Sequence, residues 1–304
     1  MTFRALRTLG VLFLIALLAG QARTATAATH KHKSKHPTVS TAHRGAHGRH
    51  RHGHRAPPPG GVYARNAILI DPSTGQVLFE KNSASSVPIA SLTKLMTALV
   101  FLEQKPDLAR EVEVTQVELS GAGHTQLRRG EQVVLGDLLH MSLMCSDNVA
   151  TRVLARESGL ASDDFVARMN RKAVELGLNG SRFVEFTGLD DRNVSTAADV
   201  ARMLHAAAHD PLIQQITTTR EYEFRTERRV HAIHNTDRLL YGHWDVLGGK
   251  TGFIQEAGYC FAMWIRTQGR DLIAVVLGAP TNATRFADAV RLVQKTTTTA
   301  VAGP

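Results

Sequence analysis

The chain has 304 residues, 43% of them hydrophobic, with a formal charge of +9, and that length allows one large domain or two ordinary ones. The charge does not argue for nucleic acid. Arg4, Arg7, Arg23 and seven Lys/Arg residues between Thr29 and Gly60 carry the excess, leaving 26 basic against 27 acidic residues elsewhere, so the folded part is near neutral and needs no basic patch.

Residues 1–27 read as an export signal peptide: Arg4 and Arg7 precede an apolar run over 9–19, followed by the small-residue pattern Ala25-Thr26-Ala27. The run is too short to span a bilayer comfortably, and no later segment is long and apolar enough to do so. Residues 28–60 are rich in His, Lys, Arg, Pro and Gly without Asp or Glu, which predicts a disordered basic tail whose electrostatic partner is an anionic envelope polymer. Its eight histidines are irregularly spaced and lack neighbouring cysteines or carboxylates, so they read as a solvated linker rather than a metal site. The folded domain is expected over 61–304, with no internal repeat.

Apolar segments at 67–70 and 76–79 flank the turn signal Asp71-Pro72-Ser73-Thr74-Gly75 and predict an opening hairpin. Apolar residues spaced by three and four predict helices over 92–101, 136–144, 147–157, 163–176 and 197–208. Stretches rich in β-branched and aromatic residues predict strands over 245–251, 258–265 and 271–277, before a closing helix over 282–294. Strands at both ends around a helical middle imply a mixed α/β fold: a mixed sheet completed by both chain ends, an inserted helical subdomain, and a cleft between them.

Three strings carry the chemistry. Ser91-Leu92-Thr93-Lys94 opens the first helix, where backbone N–H groups favour developing negative charge and Lys94, one turn on, can take the serine proton. Burial and a second cation, for which Lys250 is the candidate, would lower the Lys94 pKa as required. In Ser146-Asp147-Asn148, at the junction of two helices, Ser146 can relay a proton, Asn148 can offer donor and acceptor to a peptide, and Asp147 caps the next helix. Lys250-Thr251-Gly252 ends an extended stretch where a cation and a hydroxyl can bind a carboxylate and glycine permits close approach, although Gly248-Gly249 weaken the case for a rigid strand there. The backbone N–H groups of Ser91 and Phe253 are the natural oxyanion-hole pair. Read alone, each string is an ordinary cap or an exposed strand end; together, and each unique in the chain, they describe serine acyl transfer. No string asks for a cofactor or a metal ion.

These strings resemble those of the serine penicillin-recognising enzymes, closest to the D-alanyl-D-alanine carboxypeptidases and endopeptidases. The segments Thr187-Gly188-Leu189-Asp190-Asp191 and Asn193-Val194-Ser195-Thr196-Ala197 look like that family too, and the likeness runs over about residues 62–295. The resemblance implies the penicillin-recognising fold with an antiparallel sheet. It also implies Ser91 as acylated nucleophile, Lys94 as base, Ser146 as proton relay, Asn148 as substrate clamp, and Lys250 with Thr251 as carboxylate readers. Peptidoglycan stem peptides would be the substrates, β-lactams the acylating inhibitors, and the periplasm or cell wall the location. Phe186 departs from the family's common proline before Thr-Gly. About 52 residues follow Gly252, too few for the second domain and membrane-binding helix of many carboxypeptidases, which points to the compact endopeptidase branch. A class A β-lactamase would need a Glu-x-x-Leu-Asn loop; none occurs, and Glu185 is the nearest glutamate. A penicillin-sensing or wall-binding protein without turnover is the non-enzymatic alternative. Cys145 and Cys260 are the only cysteines, and whether they pair is open.

Overall fold

The computed structural model describes residues 61–301; the expected signal peptide (1–27) and basic tail (28–60) lie outside the described residues. The chain opens with β1 (Asn66–Ile70) and β2 (Val77–Lys81), paired antiparallel as the hairpin signal predicts. Asp71 builds the turn by accepting from the Ser73 amide and hydroxyl, and Arg270 donates to its other oxygen at 2.9 Å; these contacts hold its carboxyl down at about 2. β3 (Val87–Pro88) leads into a single 3-10 turn, Ala90–Leu92, and then α1 (Thr93–Glu103).

The inserted region follows: β4 (Glu111–Glu113), α2 (Gln116–Leu119), β5 (Gln132–Val134), α3 (Leu135–Met144), α4 (Asn148–Arg156), α5 (Ser162–Glu175), β6 (Val194–Ser195), α6 (Ala197–Ala208) and α7 (Pro211–Thr218). β4 pairs with β5, and β3 with β6. A hairpin of β7 (Glu221–Arg225) and β8 (Val230–His234) precedes three long strands, β9 (Asp245–Ile254), β10 (Gly258–Thr267) and β11 (Arg270–Ala279), and the closing α8 (Asn282–Val301).

The main sheet has the order β2-β1-β11-β10-β9 and is antiparallel throughout, so the mixed sheet expected from the element order is corrected: all its connections are hairpins except the long insert between β2 and β9. β1 joins β11 with Asn66 opposite Leu277, which closes the two chain ends into one sheet. Both faces of the central strands are buried. Ala67, Leu69, Met263, Ala274 and Val276 pack on Phe286, Ala289 and Leu292 of α8, while Ile68, Ala262, Ile273 and Val275 belong to the core shared with the helical insert. Two-sided burial explains why 272–277 reads as an unbroken apolar run rather than an alternating one.

α1 lies at the centre of that second core, packed by α3, α4, α5 and α6. Its residues from Thr93 to Ala98 are all buried, Lys94 included, so a helix buried on nearly all sides carries one amine into the interior. The β7–β8 hairpin is pinned to the insert by His231 and Glu131, both fully buried with Nε2 and Oε1 2.6 Å apart. Immediately after this hairpin Thr236 donates its amide to Met144 O, at the end of α3.

Candidate active site

Ser91 sits in the 3-10 turn, two residues before α1, and not as its cap: no side chain caps this helix. The turn is held by Ile89, whose N–H donates to Asn193 O, and Ala90 takes a left-handed φ of 50°. Lys94, one turn later, brings Nζ within 2.9 Å of Ser91 Oγ. Its other partners are Asn148 Oδ1 at 2.7 Å and the Thr187 carbonyl at 2.6 Å, both acceptors. A neutral amine has two N–H groups and one lone pair; the two acceptors take the N–H groups, and the lone pair faces the serine hydroxyl. Burial supplies that neutral amine by pushing the Lys94 ammonium down to about 7, against the opposing charge of Glu185.

Ser146 forms the tight junction between α3 and α4 with a φ of 63°, a left-handed conformation in a non-glycine residue. Asp147 caps α4 as the sequence predicts, accepting from Ala150 N, while its second oxygen accepts from the Thr125 hydroxyl. Asn148 is more committed than expected: its Oδ1 holds Lys94 and its Nδ2 donates to Ala122 O at 2.8 Å. The amide is therefore part of the cage around the amine, with one N–H left over for a ligand.

The third string lies within β9, at the edge of the sheet, and the strand runs on through Ile254. The doubt raised by Gly248-Gly249 is corrected: both are paired in the ladder, opposite Trp264 and Met263, and both are glycine because neighbours crowd them. A β-carbon on Gly249 would stand 2.9 Å from Asp237 Oδ2, and one on Gly248 3.0 Å from the Ala208 side chain. Lys250 is buried and donates to Ser146 Oγ at 2.9 Å and to Thr251 O. The Thr251 hydroxyl meets that of Thr236 at 2.7 Å. Gly252 packs on the nucleophile turn, where a β-carbon would come within 2.9 Å of Ile89 O and 3.1 Å of Ser91 N. This contact brings the Ser91 amide beside the edge strand that carries the Phe253 amide. The Phe253 ring is half-exposed and stacked on Tyr259.

The structure thus brings Ser91, Lys94 and Asn148 into one hydrogen-bonded group, and Ser146, Lys250 and Thr251 into a second beside it. Burial and the positive charge of Lys94 hold Lys250 far below the ordinary lysine range. Burial is the leading cause for both amines, and repulsion between the two neighbouring ammonium groups adds to it. Thr187 and Asn193 lie in the two family-like segments without a role assigned from sequence, and Thr236, which acts through its amide and hydroxyl, belongs to no short chemical string. Glu185, the nearest match to a β-lactamase glutamate, has both oxygens occupied by the Thr187 and Gly188 amides and by two side chains, so it is not available to activate water. Cys145 and Cys260 are free thiols, not a disulfide; burial pushes them up to about 12 and about 11.

A profile of the family described as D-alanyl-D-alanine carboxypeptidase matches residues 53–281. The chain belongs to this family. A D-alanyl-D-alanine endopeptidase of Pseudomonas aeruginosa is 39% identical to it over 232 residues, covering 75% of each chain. An Escherichia coli D-alanyl-D-alanine endopeptidase is 36% identical over 236 residues, covering 76% of each. The crystal structure of a Streptomyces DD-transpeptidase superposes with a TM-score of 0.73 at 26% identity, covering 77% of this chain and 96% of that one. Family membership agrees with the penicillin-recognising fold inferred from the motifs. No helix among the described residues is long and apolar enough to cross a membrane.

Proposed function

We propose that this protein is an exported, periplasmic or wall-associated serine DD-peptidase that cleaves peptidoglycan peptide bonds following D-alanine, through an acyl-enzyme on Ser91. The observation that carries this reading is the 2.9 Å contact between Ser91 Oγ and the buried amine of Lys94, whose remaining partners are both acceptors. As Ser91 Oγ attacks the D-alanine carbonyl, its proton passes to Lys94 Nζ. The Ser91 and Phe253 amides receive the oxyanion. The proton taken up by Lys94 reaches the departing nitrogen through Ser146, which touches Lys250, so the peptide bond breaks to leave the ester and a neutral Lys94. Water then attacks the ester, its proton passing to Lys94 Nζ and from there to the departing Ser91 Oγ, which restores both groups.

Lys250 and Thr251 read a carboxylate on the residue beyond the scissile bond. Among the described residues neither active-site lysine has a carboxylate within salt-bridge distance, so an arriving carboxylate supplies a missing counter-charge. Cross-link endopeptidase action is favoured over simple carboxypeptidase action because the two endopeptidases reported above match this chain over three quarters of their length. The basic tail, on this reading, holds the enzyme near anionic envelope polymers.

Incubation of the purified protein with fluorescent penicillin and with isolated sacculi tests the proposal. Wild type takes the label, and mass spectrometry shows loss of cross-linked dimers; loss of terminal D-alanine alone would make it a carboxypeptidase. Ser91→Ala folds and does neither, whereas a labelled Ser91→Ala protein would refute the assignment. Catalytic clearance of nitrocefin would favour the β-lactamase alternative.

A further inference from the structure

We infer that Glu185 is the positioning residue for the lysine base: its carboxylate shapes the Thr187–Gly188 turn whose carbonyl holds Lys94 against Ser91. The inference rests on the reading of Ser91 and Lys94 as nucleophile and base. Glu185 Oε2 accepts from the Thr187 amide and hydroxyl, each at 2.6 Å, and Oε1 accepts from the Gly188 amide and from Asn193 Nδ2 at 2.7 Å. Every neighbour is a donor. Asn193 cannot turn its oxygen inward without loss, because Oδ1 already accepts from the Val184 and Glu185 amides. A carboxylate satisfies this ring of donors; a carboxamide would set its own NH2 against two of them.

The shaped turn touches the reacting groups on two sides. Thr187 O accepts from Lys94 Nζ at 2.6 Å, and Gly188, with a φ of 86°, lies against the Ala90 carbonyl next to Ser91. Thr97, one turn beyond Lys94, donates to Phe186 O at 2.7 Å, and Asn193 O receives Ile89 N at the start of the nucleophile turn. Glu185 is therefore fastened, through these partners, to both ends of the Ser91–Lys94 segment. Its negative charge is also the leading influence that opposes the effect of burial on Lys94. The other charged or titratable groups around that amine are Asp147, Cys145, Arg152 and Lys250, from α4, the residue before Ser146, and β9.

Acylation rates with fluorescent penicillin, followed from mildly acidic to mildly alkaline pH, test this in the full-length protein, with melting curves to verify folding. In wild type the rate rises with pH through about 7, as Lys94 gives up its proton. Glu185→Gln should lower the plateau roughly 100-fold through misplacement of the amine. It should also move the rising limb to lower pH by about one unit, because the charge that favours the ammonium is gone. Glu185→Asp keeps the charge but shortens the reach, so its limb should stay while its plateau falls at least roughly 10-fold. A wild-type plateau in either variant overturns the inference. So does a lowered plateau in Glu185→Gln with an unmoved limb, the signature of a structural role alone. If Glu185→Gln does not fold, Glu185→Asp decides by its plateau. Wild type that takes no label would instead overturn the function proposed above and leave the Glu185 turn as architecture.

Discussion

Gly188 and Ala90 touch so closely that a β-carbon on Gly188 would stand 2.0 Å from the Ala90 carbonyl oxygen. Both take left-handed φ values, 86° and 50°, so the loop from the insert and the nucleophile turn meet through two unusual backbones. Gly188→Ala should lose about 3 kcal/mol of stability and nearly all penicillin labelling, measured by denaturant unfolding and gel fluorescence. A variant with wild-type stability would show that the two backbones are free to part.

The active-site lysines should make the protein more stable in alkaline solution. In the folded chain Lys94 gives up its proton near pH 7, in the unfolded chain near 10.5, so between these values the unfolded chain holds more protons and stability rises with pH. Below about 7 both states hold the proton and the gain has vanished. Lys250 is shifted in the same direction. Lys94→Met should remove up to roughly 1.4 kcal/mol per pH unit from the slope, and should abolish labelling without lowering the melting temperature near neutrality. An unchanged slope in thermal melts across this window would count against a neutral amine.

Ligand binding should take up a proton. Lys250 is depressed by burial and by Lys94, and a carboxylate beside it restores the charged form. Calorimetry of a carboxylate-ended D-alanyl peptide with Ser91→Ala, in buffers of different ionisation enthalpy at mildly alkaline pH, should show net uptake. Lys250→Met should abolish the uptake and weaken binding about 100-fold. Proton release, or none, would remove Lys250 from the carboxylate-reading role.

The β7–β8 hairpin should loosen when its buried fastening is cut. Glu131 accepts from His231, from the Thr226 hydroxyl and from the Arg128 amide, so Glu131→Ala leaves all three without this partner, the His231 ring in full burial. A loss of about 3 kcal/mol is expected, with faster amide exchange over 221–234. Catalysis should also fall, since Thr236, which meets Thr251, follows directly on this hairpin. Protection unchanged in the hairpin would show that it is held elsewhere.

The parts legible in the sequence are those with a strong local signal. The opening hairpin, the three long strands and six of the helices follow from apolar spacing or from β-branched and aromatic enrichment, and Ser91, Lys94, Ser146 and Lys250 follow from strings in which several reactive groups occur close together. β7 and β8 escaped notice because their outward positions carry Glu, Arg and His and because their fastening, Glu131, lies 100 residues away in the chain. α7 was missed although Asp210-Pro211 is a sound helix start, with Asp210 capping Leu212 and Ile213. The full burial of both lysines was illegible for another reason: only the assembled core determines it. The segments beginning at Thr187 and Asn193 stood out in the sequence by resemblance alone, since their contacts to Lys94 and Ile89 run through main-chain carbonyls, which every residue possesses.

The pairing of β1 with β11 has a temporal consequence. Asn66 finds Leu277 only after more than two hundred intervening residues exist, and Gly252, the floor beneath Ser91, emerges late as well. A chain still being synthesised holds its reactive hydroxyl long before it can use it. Latency of this kind lies in chain order itself: β9, β10 and β11 complete the site that α1 opens.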